Sequence, residues 1–105
     1  TARAVAERAG LATYERAYQS AGRTPEPWIG PDLGTLIQDL SRSGNRKVII
    51  APIGFVCDHT EILFDIDIQA ADIARKVETR LRRTESLNTL PTFITALEDI
   101  VRRRL

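Results

Sequence analysis

Residues 47–51 read Lys-Val-Ile-Ile-Ala, a short apolar run rich in β-branched side chains. It is too short for a helix and lacks polar alternation, so it predicts a parallel strand buried on both faces. Pro52 to Cys57 (PIGFVC) turns the chain at the strand's carboxyl end. From Asp58 onward, Ile62, Ile66, Ala70, Ile73 and Val77 recur at spacings of three and four. That stripe predicts an amphipathic helix running from Asp58 to about Thr79. Arg80 to Thr84 then reads as a weaker strand near a sheet edge.

The flanking segments extend the same alternation. Ala2 to Arg8 has helical spacing with Gly10 as its stop, and Thr13 to Gln19 alternates like a strand. Ser20 to Pro31 carries three prolines and two glycines and predicts a loop. Pro31 opens a helix whose apolar face is Leu33, Leu36, Ile37 and Leu40, and Gly44 closes it. A last helix is expected with Asn88 or Thr89 as cap, Pro91 early, and Phe93, Ile94, Leu97, Ile100 and Val101 inward. The order α-β-α-β-α-β-α predicts an α/β fold, three-layer α-β-α with a parallel sheet and helices on both faces. Ligands of such sheets bind beyond the carboxyl ends of the strands. The loop of Trp28 and the stretch from Pro52 to Glu61 fall there.

Composition excludes several classes. Basic and acidic residues nearly cancel, 15 against 14, so a nucleic-acid binder is not expected. The run Arg102-Arg103-Arg104 suits the negative end of a last helical turn. Hydrophobic residues at 43% and charged residues at 28% argue against disorder. With Cys57 as the single cysteine, no internal disulfide can form, and a cytoplasmic setting is the default expectation. No apolar run approaches the roughly 20 residues that span a bilayer. The absence of methionine, and a start at Thr1 inside a helical pattern, predict a piece of a larger protein.

The third helix carries the chemistry. At 100° per residue, Asp58, Glu61, Asp65, Gln69 and Asp72 share one sector of roughly 80°. An acidic ladder therefore climbs the side of a helix whose other side is core, with His59 at its foot. Oxygen and imidazole donors in such a place suit a divalent metal such as iron(II). A second reading of the same residues stays open: Asp58-His-Thr-Glu61 is also a capping box, with Asp58 as cap and Glu61 bonding back to it. His59 reads equally as a surface or capping histidine, and Cys57 as a small core residue. Trp28 either plugs the core edge or offers a flat face to a flat ligand.

Longer motifs carry the reading further. Tyr18 to Asp32 (YQSAGRTPEPWIGPD), Ile50 to Asp67 (IAPIGFVCDHTEILFDID), and Leu87-Asn88 with Pro91 and Phe93 resemble, in order and spacing, stretches of the ferrochelatase family. The resemblance covers nearly the whole chain. It implies most of one lobe of a two-lobed α/β enzyme, residues 1–105 being the C-terminal lobe and the N-terminal lobe lying outside this chain. It implies insertion of iron(II) into a porphyrin, protoporphyrin IX or coproporphyrin III, in heme biosynthesis. Glu61 matches the family's essential glutamate, which is paired with a histidine on an earlier segment. His59 is not that histidine. Asp65 and Gln69 match positions of an outer metal site, where Gln69 departs from the usual acid. The implied metal residues are Glu61, Asp65 and His59. Trp28 and Phe55 are expected against the porphyrin. Iron is a substrate, no organic cofactor is implied, and a lone cysteine offers no iron–sulfur cluster. Two other readings remain: a non-catalytic tetrapyrrole- or metal-binding module, and a chelatase for another divalent metal.

Overall fold

The computed structural model describes residues 1–20, 22, 25–27 and 29–105; Trp28 lies outside the described residues. Helix α1 spans Ala2–Arg8 and α2 spans Leu33–Arg42. Strand β1 (Lys47–Ile50) leads through a loop into a π-helix, Glu61–Ala70, which continues as α3, Ala71–Lys76. Strand β2 (Arg80–Arg83) and α4 (Pro91–Arg102) complete the order. β1 and β2 pair in parallel, Val48 opposite Leu81 and Ile50 opposite Arg83. A helical crossover between parallel strands is the elementary α/β unit, and the fold is α/β as the alternation predicts.

Local signals explain the ends of the elements. The Asp32 carboxylate accepts the Thr35 N–H at 3.0 Å, so α2 starts after an Asp cap and Pro31 stands just outside it. At its other end Gly44 has φ 88°, Gly44 N–H reaches the Ser41 carbonyl, and Asn45 N–H reaches the Leu40 carbonyl. These two bonds form the glycine-based stop that the sequence predicts. The same pair of bonds ends α3 at Glu78, whose φ is 52° although it is not glycine.

The core lies between α2 and the crossover helix. Ile37, Ala70 and Ala74 are buried, with Leu33, Ile73, Val77 and Leu81 packed around them. Gly34 faces Ile73: a Cβ there would stand 2.8 Å from the Ile73 Cδ1, so the missing side chain lets α2 lie close to α3. Ile37 and Ile62 are fully buried, each worth about 1.5–3 kcal/mol.

Four expectations are corrected. Thr13 to Gln19 forms no strand: Tyr18 alone pairs, in one parallel bridge with Asp32. Its alternation has no neighbouring ladder to join. β1 is covered on one face only; Val48 and Ile50 are half-buried while Ile49 is 73% exposed. The third helix starts at Glu61, not Asp58, and its first ten residues are π, not α. In α4 the cap is Leu90, without a side-chain bond, and Ile94, Leu97, Ile100 and Val101 are exposed, not inward. No described element covers that apolar face. No described helix is long and apolar enough to cross a membrane.

Candidate active site

The loop from Ala51 to Thr60 carries the chain from β1 to the π-helix. Its position is set from a distance. Asp58 lies beside the β2–α4 connection, where Ser86 Oγ donates to Oδ1 at 2.6 Å and Asn88 Nδ2 donates to Oδ2 at 3.3 Å. Arg83 Nη1 adds a third donor to Oδ1 at 3.3 Å. The hydrogen bonds from Ser86 and Asn88, with the charge of Arg83, hold the Asp58 carboxyl below the usual carboxylate range. The Asp58 N–H in turn donates to Asn88 Oδ1 at 2.9 Å, and the Asn88 N–H donates to the Val56 carbonyl at 2.8 Å.

These bonds rule out the capping box. The Asp58 N–H, which Glu61 should accept, is taken by Asn88. The Glu61 N–H donates to His59 Nδ1 at 3.2 Å and not to Asp58. The described bonds leave the Glu61 carboxylate unoccupied in the first turn of the helix, where it is exposed to solvent. With Nδ1 accepting that bond, Nε2 is the ring's remaining polar nitrogen. That Nε2 is buried, and has no partner among the described residues. The Phe55 ring packs edge-on against His59 with centroids 4.2 Å apart.

Asp58, the foot of the expected acidic ladder, precedes the helix and is not on it, but the middle of the ladder survives the change of helix type. In an α-helix four residues slightly overshoot one turn; in a helix bonded i→i+5 they fall slightly short. Glu61, Asp65 and Gln69 stay near one side in either case. π-turns concentrate at functional sites, and this one begins at the candidate residue. A second segment braces the ladder: Gln19 Nε2 donates to the Glu61 carbonyl at 3.3 Å, and Ser20 Oγ donates to the Asp65 carboxylate. Ser20 reaches it from a left-handed backbone, φ 59°. Two residues beyond Asp65, Arg83 holds Asp67 on the same helix.

The structure thus brings Phe55, His59, Glu61 and Asp65 to one strand–helix junction. Among the described residues, no three His, Cys, Asp or Glu side chains converge into a group able to hold a metal ion. Cys57 is exposed and unpaired. Sequence reasoning missed Gln19, Ser20, Arg83 and Ser86 as partners of this site and took Asn88 for a helix cap. Gln19, Ser20 and Asn88 carried a signal only as members of the matched motifs at Tyr18-Gln19-Ser20 and Leu87-Asn88; Arg83 and Ser86 lie outside them.

A parallel α/β unit with carboxylates rising from the end of its first strand defines a lobe with a polar site at the strand–helix junction. The ferrochelatase family profile matches residues 1–105, and the chain belongs to that family. It is 49% identical over 106 residues to a ferrochelatase of Deinococcus radiodurans, covering 99% of this chain and 34% of that protein. It is 44% identical to a coproporphyrin III ferrochelatase of Geobacillus thermodenitrificans, covering 100% of this chain and 34% of that protein. A ferrochelatase of Thermus thermophilus is 43% identical over 96% of this chain and 32% of its own length. The chain therefore spans about a third of the length of the curated relatives it matches.

Proposed function

We propose that this chain supplies the C-terminal part of the active site of a ferrochelatase, which inserts iron(II) into a porphyrin in heme biosynthesis. The observation that carries this is Glu61: a solvent-facing carboxylate in the first turn of the π-helix, free of the capping bond that would otherwise explain it.

Insertion replaces two pyrrole protons with one iron(II), so two protons leave and the macrocycle stays neutral. A carboxylate at the ring accepts a proton and ligates the metal as it sheds water. Glu61 takes that role, with a histidine from the remainder of the enzyme as partner. Asp65, one step up the helix, draws the cation by charge. Asp65 shares the metal's path with Glu61; His59 lies beside it, but its Nδ1 accepts the Glu61 N–H and its Nε2 is buried, so it ligates only once that bond opens. Trp28 and Phe55 pack against the porphyrin, whose flat apolar faces suit aromatic rings. Iron is a substrate, and we assign no organic cofactor and no iron–sulfur cluster. The remaining lobe of the same enzyme is the partner that covers the open faces of the sheet and α4. A single cysteine fits a cytoplasmic enzyme.

The test is E61Q in the full-length enzyme, followed by loss of porphyrin fluorescence with iron(II). Turnover should fall on the order of 10²–10⁴-fold, the range for loss of an acid–base group, with the circular dichroism spectrum unchanged. Near-normal insertion by E61Q would remove Glu61 from the mechanism.

A further inference from the structure

We propose that Asn88 is a positioning residue for Glu61, an assignment that rests on the role given to Glu61 above. Asn88 sits in the loop between β2 and α4 with φ 45°, a left-handed conformation that asparagine tolerates better than most residues. Three of its hydrogen bonds go to Val56 and Asp58, some 30 residues earlier. Its N–H donates to the Val56 carbonyl at 2.8 Å, its Oδ1 accepts the Asp58 N–H at 2.9 Å, and its Nδ2 donates to Asp58 Oδ2 at 3.3 Å. The amide has one workable orientation. Turned over, it would set donor against the Asp58 N–H and acceptor against the Asp58 carboxylate.

Ser86 and Arg83 also reach Asp58, but only its carboxylate. Asn88 alone bonds the loop backbone as well. From Asp58, only His59 and Thr60 separate that anchor from Glu61, and the His59 ring accepts the Glu61 N–H. The Glu61 carboxylate has no hydrogen bond among the described residues, so its place is set through its backbone, by this short chain of contacts on the N–H side and by Gln19 Nε2 on the carbonyl. A carboxylate held by its backbone loses effective geometry when the backbone loosens, and small displacements at a reacting centre cost rate more than binding.

The experiment compares N88G, N88D and the double variant D58N/N88D with E61Q, all in the full-length enzyme. Glycine keeps the left-handed backbone and removes the amide, so N88G separates the two. It should lower kcat on the order of tenfold to a hundredfold, while the porphyrin KM stays within about twofold. Hydrogen exchange should quicken over residues 56–61 and not elsewhere. N88D sets a second carboxylate against Asp58 and should be slower still. D58N/N88D restores one amide–carboxylate pair with the partners exchanged, and should recover part of the kcat that N88D loses. Wild-type kcat in N88G, or a double variant no better than N88D, beside an inactive E61Q, overturns this inference alone. An E61Q that keeps its turnover overturns the reading of Glu61, and the inference with it.

Discussion

The Arg83 guanidinium grips the Asp67 carboxylate through two parallel hydrogen bonds, Nε to Oδ1 at 2.7 Å and Nη2 to Oδ2 at 2.9 Å. The remaining Nη1 turns to Asp58, so one planar side chain on β2 ties the π-helix to the loop that precedes it. The Arg83 side chain is only 16% exposed, and its hydrogen bonds to Asp67, with the charges of Asp67 and Asp58, raise its pKa further. Lysine presents one ammonium and cannot reproduce the fork. R83K in the full-length enzyme should therefore lose about 1–2 kcal/mol of stability, read as a lower midpoint in urea. An unchanged midpoint would show that solvent already screens the pair.

Glu78 ends α3 in a left-handed conformation that glycine takes without steric cost. The substitution Glu78→Gly relieves that cost but adds freedom to the unfolded chain. The first effect is the larger, so thermal unfolding should show a gain of about 0.5–1 kcal/mol. A loss would mean that the Glu78 side chain contributes more than its backbone costs.

Asp58 and Asp72 carry the pH dependence. Ser86 and Asn88 hold the first below its ordinary 3.8, and Lys76, with Arg75, does the same for the second. A carboxyl lowered in the folded state stabilises fully above its unfolded value, and that stability is lost as pH falls through the folded value. The melting temperature should be flat from neutral pH to about 5 and fall below about 4. The D58N/D72N pair should flatten that acid limb, which a pH series of thermal melts would show.

Gln69 continues the ladder of Glu61 and Asp65 with an amide. If the ladder gathers cations by charge, Gln69→Glu strengthens it. The KM for iron(II) should drop severalfold while the KM for porphyrin does not move, and added salt should erase the gain. Equal iron KM values in both proteins would confine metal capture to Glu61 and Asp65.

Much of the scaffold was legible because it follows from local periodicity. The stripe Leu33, Ile37, Leu40 with Gly44 after it states a helix and its stop, and Lys47–Ile50 states a strand. The π-helix was not legible. Ile62, Ile66 and Ala70 stand four apart, and four residues approximate one turn of either helix type. The alternation of Thr13 to Gln19 was local too, but a strand needs a partner, and only Tyr18 finds one. At the site, Glu61 and Asp65 followed from spacing and motif. The bonds of Asp58 to Ser86 and Asn88 span 28 and 30 residues, and no local pattern encodes such pairings. The capping box was a sound local reading that a long-range competitor displaced.

The two-stranded sheet has a further consequence. Each of its strands has a neighbour on one side only among the described residues, and Ile49 projects from its bare face. Such a surface is a template: any extended segment that meets it finds waiting amides, carbonyls and a greasy patch.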